Sequence, residues 1–254
     1  MDIVHVQSKR IVEHVTPLLV LPVYEENGST IFNVSEELAF AVDKILLKED
    51  LKSKPGELLL VYSGDDTGPQ RILLIGMGEK SPGDSENFRR FGGHAVREAE
   101  SLGVSRLTIS PGLLESEIAE EAFQAIVEGM VLANWEFCEM KTDSKKNKDR
   151  LLRTIEVLSE EVATTQVEKG IKVGRIIGEA ANFARTLQTR PGNVATPTHL
   201  GDEASRIASE YGLKVTVMDP IEIEKNDKNG PGKPCDYKDG EINLEGYISF
   251  YSKI

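Results

Sequence analysis

Two stretches of this chain, Leu18-Leu19-Val20-Leu21 and Ile72-Leu73-Leu74-Ile75, are apolar at every successive position. Neighbouring side chains of a strand point to opposite faces, so a strand that is apolar throughout has to be covered on both. Such segments belong in the middle of a sheet with a layer on each side. Further apolar runs of strand length occur at 2–6, 57–62, 106–109, 152–158 and 213–218.

Helical spacing appears between these runs. Leu38, Ala41, Val42, Ile45 and Leu46 recur at i, i+3, i+4, i+7 and i+8, with Ser35 placed as an N-cap. Ile118, Ala122, Ile126 and Met130 mark a second helix. Leu200, Ala204, Ile207, Ala208 and Tyr211 mark a third, opened by Thr196 as cap with Pro197 at the first helical position and ended at Gly212. Strands alternating with helices predict a layered α/β architecture, a mixed or parallel sheet with flanking helices. Residues 71–109 are its clearest unit: strand, a glycine turn at Gly76-Met77-Gly78, a helix over about 85–102, Gly103, then a strand. A right-handed crossover is expected there.

A long helix is expected over 164–187. Gly170, Gly174 and Gly178 recur within it at every fourth position. Each glycine costs roughly 1 kcal/mol against alanine in a helix interior. On one face they let another backbone come close. A membrane dimerisation motif is excluded by Lys169, Lys172, Arg175 and Glu179 beside them, so tight packing on a neighbouring element is the expectation.

Charge bears on partners. The net charge of −12 and pI near 5.0 disfavour nucleic acid and anionic membrane surfaces. The two cysteines, Cys138 and Cys235, fit a reducing compartment, with Cys138 expected as a buried thiol beside Trp135 and Phe137. No basic segment followed by an apolar one opens the sequence at Met1, and no run reaches the roughly 18 apolar residues of a spanning helix. A cytoplasmic location is the expectation. The lysine-rich stretch 141–150 has interleaved Asp and no aromatics, which predicts a solvated loop over a nucleic-acid patch. The 226–234 stretch is loop-like.

Chemistry is hard to find. Gly76-Met77-Gly78 lacks the third glycine of a dinucleotide fingerprint, because Ser81 stands there. Gly232-Lys233 is followed by Pro234, so no Walker loop exists. The histidines His5, His14, His94 and His199 are scattered, and no nucleophile elbow occurs. Glu115, Glu117, Glu120 and Glu121 cluster at the start of a predicted helix, where negative charge complements the helix dipole. A metal needs ligands converging from several elements, which one exposed run does not provide. No catalytic, cofactor-binding or metal-binding residue is therefore assigned.

Three segments in order do resemble one family. Arg71-Ile72-Leu73-Leu74-Ile75-Gly76-Met77-Gly78-Glu79-Lys80, followed by Phe88-Arg89-Arg90-Phe91-Gly92-Gly93, is similar to a strand-G-L-G-K element and the helix after it. Glu128-Gly129-Met130-Val131-Leu132-Ala133-Asn134-Trp135-Glu136-Phe137 resembles an E-G-x-x-L-A-x-Y-x-F stretch. Ala184-Arg185-Thr186-Leu187, then Pro191-Gly192-Asn193-Val194-Ala195-Thr196-Pro197-Thr198-His199-Leu200, resembles the A-R-x-L…P-x-N-x-x-T-P-x-x-L element, although Gln188-Thr189-Arg190 replaces its usual Asn-containing link. Residues 212–219 resemble the strand that follows. The family they resemble is that of the leucyl aminopeptidases, the cytosol aminopeptidases of family M17.

The resemblance covers roughly 1–220. It implies a macro-domain-like N-terminal α/β domain over 1–160. A connecting helix and the first helix and strand of a truncated peptidase domain would occupy 161–219, and 220–254 would be an atypical tail with little order. It also implies that the parent enzyme is a homohexamer that trims peptides with two divalent ions, Zn or Mn, activating a water. The ligand-bearing V-G-K-G-x-T-F-D-x-G-G and N-T-D-A-E-G-R elements do not occur in this sequence. The expectation is a chain without cofactor of its own and inactive alone. The alternatives are a module binding ADP-ribose or a nucleotide, or a regulatory subunit docking on a full-length aminopeptidase.

Overall fold

In the computed structural model, the described residues are 1–7, 11–34, 36, 53–63, 67–79, 84–140, 152–159, 162–218 and 247–251. They form two units, Met1–Ala184 and Arg185–Ile254. The expected helix at 38–46, the lysine-rich stretch 141–150 and the 226–234 loop lie outside the described residues.

The first unit is built on a seven-stranded sheet. Its strands are β1 (Asp2–Gln7), β2 (Leu19–Glu26), β3 (Ser29–Phe32), β4 (Leu58–Tyr62), β5 (Arg71–Glu79), β6 (Arg106–Ile109) and β7 (Thr154–Ser159). The spatial order is β1-β7-β6-β2-β5-β4, with β3 also on β2. β1, β7, β6, β2 and β5 run parallel, while β4 and β3 pair antiparallel to β5 and β2. The expected mixed, mostly parallel sheet is present.

The apolar runs divide between the two faces. Leu18, Val20, Leu73 and Ile75 join the larger buried cluster, together with Leu107, Ile109, Ile155 and Val157. Leu19, Leu21, Ile72 and Leu74 join a second cluster on the opposite face, with Ile11, Val34 and Leu158. Each such side chain contributes about 1.5–3 kcal/mol when fully buried. Two helices cover the first face. α1 (Ser85–Ser101) connects β5 to β6, and α2 (Ser116–Ala133) follows β6.

Pro22 lies inside β2 without disturbing it. Val20 accepts from Ser110 on the β6 side, so the N–H that Pro22 lacks would point to that same edge. There the pairing with β6 has ended at Val20 and that with β3 starts at Val23. The proline stands where β2 changes partner and no ladder bond is lost.

The glycine turn expected at Gly76-Met77-Gly78 is not a turn. β5 continues through it to Glu79. The register with β2 slips there, since Val23 pairs with Gly76 and Tyr24 with Gly78, leaving Met77 as a bulge; Gly78 has φ +79°. Residues 53–57 lie against the strand: Gly76 donates to Glu57 O, its own O accepts from Gly56, and Gly78 donates to Ser53 O. A Cβ on Gly76 would stand 2.1 Å from Lys54 O. The glycine is needed for that close approach rather than for a change of direction.

α3 (Thr164–Thr189) is the long helix, and its residues from Arg185 on belong to the second unit. The glycine spacing does what it predicts. Added Cβ atoms at Gly170, Gly174 and Gly178 would meet Glu120 O at 2.6 Å, Gln124 O at 2.3 Å and Val131 Cβ at 2.7 Å, all on α2. Asn182 Nδ2 donates to Val131 O at 2.9 Å further along the same seam.

The second unit contains α4 (Pro197–Tyr211), β8 (Lys214–Met218) and β9 (Tyr247–Tyr251). Thr196 caps α4 by accepting from the His199 amide at 3.2 Å, Pro197 opens it, and Gly212 closes it at φ 66°. β8 pairs antiparallel with β9. Gly201 and Val217 pack together between α4 and β8. No helix among the described residues is long and apolar enough to cross a membrane.

Candidate functional site

A polar network that crosses the fold lies on the second face of the sheet, where Thr108 of β6 and Glu156 of β7 project. Glu156 is a carboxylate between Ile155 and Val157 of β7, and its side chain is 13% exposed. A buried carboxylate has to be satisfied by donors. Thr108 Oγ1 donates to Glu156 Oε2 at 2.7 Å, and His14 Nε2 lies 2.8 Å from the same oxygen. A carboxylate only accepts, so His14 Nε2 carries the proton. Arg106 Nη1 stands 3.5 Å from Oε1 and its Nη2 donates to Val15 O at 3.0 Å. Thr16, fully buried, reaches Thr108 Oγ1 at 2.9 Å.

Burial pushes the Glu156 carboxyl up. The hydrogen bonds from His14 and Thr108, together with the Arg106 and His14 charges, outweigh that push and hold it below its ordinary value. The network ties the segment from His14 to Thr16 onto the sheet just before β2 begins. It contains no nucleophile. Nor does it suit a divalent ion, because only His14 and Glu156 are ligand types, they bond each other, and the Arg106 guanidinium faces the carboxylate. Among the described residues, no group of three or more His, Cys, Asp or Glu side chains is placed to hold a metal.

The remaining residues weighed in the sequence are dispersed. His5 on β1 meets Ser159 Oγ at 2.9 Å, and burial lowers its pKa against the opposing pull of Glu168. His94 on α1 has a pKa lowered first by burial and then by the Arg97 and Arg90 charges; its Nε2 lies against the Gly56 turn. His199 Nε2 accepts from Arg190 Nη1 at 2.7 Å, since a guanidinium only donates. Glu115 precedes α2 without a side-chain cap bond, and Glu117 lies in the first turn of that helix. Glu120 pairs with Lys169 at 2.7 Å, and Glu121 accepts from Ser85 Oγ. The glutamate run is a largely exposed helix start, and its Glu120–Lys169 ion pair links α2 to the long helix that follows β7. Cys138 is half-buried rather than buried, because it lies beyond the end of α2.

The Glu156 network is not anticipated by motif scanning. Its signal is a charged residue inside an apolar strand, Thr154-Ile155-Glu156-Val157-Leu158. Composition reads that as an imperfection, whereas burial makes it a centre that has to recruit donors.

These elements define an α/β domain with a mostly parallel sheet, one face helical and apolar, the other partly polar. Residues 20–144 match the model of the cytosol aminopeptidase family, N-terminal domain. The chain thus carries the N-terminal region of a leucyl-aminopeptidase-type (M17) protein.

Relatives agree. A probable cytosol aminopeptidase of Alkaliphilus metalliredigens is 28% identical over 223 residues, covering 86% of this chain and 45% of that protein. Those of Roseiflexus castenholzii and Persephonella marina are 30% and 31% identical, over 85% and 74% of this chain and 42% and 38% of theirs. The chain spans less than half the length of these curated relatives. Among solved structures, a tomato leucine aminopeptidase mutant superposes with a TM-score of 0.71 at 22% identity, over 89% of this chain and 46% of that one. The bottromycin maturation enzyme BotP in complex with Mn gives 0.59 at 20% identity, over 82% and 40%. These two likenesses establish the fold.

Proposed function

We propose that this chain is the non-catalytic N-terminal portion of a metallo-aminopeptidase, and that alone it hydrolyses no peptide. The observation that carries this is the match of residues 20–144 to the family's N-terminal domain in a sequence containing neither ligand-bearing element of the family's peptidase domain. Residues 1–160 form the N-terminal domain in this reading, with a macro-domain-like arrangement. Residues 161–219 supply the connecting helix and the first helix and strand of the peptidase part, and 220–254 the tail.

The whole enzyme takes N-terminal residues from peptides in the cytoplasm, as a homohexamer. Its two divalent ions, Zn or Mn, supply an activated water and a Lewis acid at the scissile carbonyl. This chain's own residues add rigidity. The glycine seam fixes the first part of α3 on α2, which sets where the chain leaves the first unit. The net charge of −12 gives nucleic acid no role in this reading.

The test is incubation of the chain with leucine p-nitroanilide and Mn²⁺. No release of p-nitroaniline above a buffer blank is expected. Turnover that survives further purification and disappears with chelator would overturn the reading.

A further inference from the structure

β2 returns as β3 through a two-residue loop, Asn27-Gly28, with Glu26 paired to Ser29 across it. Both loop residues have positive φ, 53° and 74°, the arrangement of a type I′ turn. Both are exposed, and a Cβ added to Gly28 would meet nothing within 4 Å. The space a side chain on Gly28 would take is therefore open.

We propose that Asn27 is a site of spontaneous backbone-assisted deamidation, producing aspartate and isoaspartate at the tip of this hairpin. The Gly28 nitrogen loses its proton to base and attacks Cγ of Asn27. The N–Cγ bond forms, the Cγ–Nδ2 bond breaks, and ammonia leaves. Water then opens the five-membered imide at either carbonyl. Asparagine plus water gives acid plus ammonia, and nothing is oxidised or reduced. Glycine is the successor that hinders this least, because it has no side chain and its backbone turns freely.

The folded turn restrains the reaction without preventing it. A closed type I′ turn holds the nitrogen out of line with Cγ, so attack needs the hairpin tip to open. Little resists opening, since Ser29 and Thr30 are exposed and the β2–β3 ladder spans only Val23 to Glu26 against Phe32 to Ser29. The product then keeps the tip open. Isoaspartate carries the chain through its side-chain carbon and lengthens a loop that tolerates only two residues. Either acid also adds a carboxylate beside Glu25 and Glu26. The register of β3 and the hydrogen bond between Thr30 Oγ1 and Ser53 Oγ, 2.8 Å, should be weakened.

The full chain is aged in mildly alkaline buffer, native and in urea, and read by site-resolved peptide mass spectrometry with isoaspartyl methyltransferase labelling. Acid forms should accumulate at position 27, faster at higher pH and several-fold faster in urea. Gly28→Ala, compared in urea so that folding plays no part, should slow the conversion several-fold. Backbone hydrogen exchange at 29–32 should quicken in the modified chain. No acid form at position 27 in the native chain after most of that amide has converted in urea, or a Gly28→Ala chain converting as fast in urea, would overturn the proposal. Unchanged exchange at 29–32 would overturn its structural consequence.

Discussion

The two faces of the central sheet are held to their cover by different physics. On the first, α1 and α2 pack on Leu18, Val20, Leu73, Ile75, Leu107 and Val157, and the helices meet backbone to backbone. A Cβ on Gly92 would stand 2.1 Å from Ile126 O, and one on Gly129 1.9 Å from Arg89 O. On the second, Ile11 and Val34 cover a smaller apolar cluster, and beside it the segment from His14 to Thr16 is fastened by hydrogen bonds to Glu156 and Thr108. Close packing tolerates no added atom, while a polar network tolerates no missing partner. The faces should therefore respond to opposite kinds of substitution.

The largest effect is expected at Gly129. Gly129→Val forces the α1–α2 seam apart and should destabilise the chain by about 3 kcal/mol, seen as a lower urea midpoint at unchanged slope. Gly93 is the contrast on α1, since a Cβ there would find its nearest atom at 3.7 Å. Gly93→Ala should be neutral or stabilising by up to about 1 kcal/mol through helix propensity. Equal loss from both glycines would break the comparison.

On the opposite face, Glu156→Ala leaves His14 and Thr108 without their acceptor. The expected loss is about 2 kcal/mol by the same measurement. The pH dependence sharpens this. The folded Glu156 carboxyl lies below its ordinary value, so its contribution is present above the unfolded value near 4.5 and is lost as pH falls through the folded one. The stability gap between the native chain and Glu156→Gln should hold at neutral pH and narrow on the acid side of pH 4.5. A gap constant down to strongly acid pH would remove the carboxylate from the account.

The smallest effect belongs to a charge pair on the helical face. Arg89 Nε meets Glu128 Oε1 at 3.1 Å at the rim of the seam, with the arginine side chain 31% exposed. Arg89→Ala should cost less than about 1 kcal/mol, and part of that should disappear in salt. A loss matching that of Gly129→Val would mean that the seam rests on charge rather than on shape.

How much was legible varies by element. The ends of α4 were, because a capping hydroxyl, a proline at the first helical position and a glycine beyond the last act within a few residues of themselves. The long helix and its close-packed glycine face were legible in the spacing of Gly170, Gly174 and Gly178. The β2–β3 hairpin escaped the reading although Asn27-Gly28 is a strong local turn signal. At Gly76-Met77-Gly78 the sequence showed that glycine was needed but not why, since the crowding comes from residues 53–57.

By itself, then, the sequence determined what depends on neighbours along the chain: that the strands at 18–23 and 71–75 are covered on both sides, where α4 starts and stops, and which family the three ordered segments belong to. Only the tertiary structure decided which atoms meet across it. Glu156 and His14 are 142 residues apart, and Thr16 and Thr108 are 92. Their pairing follows from the order of parallel strands, a spatial arrangement that no local pattern encodes. Whether a glutamate in an apolar strand is a defect or an anchor depends on the donors the fold brings to it.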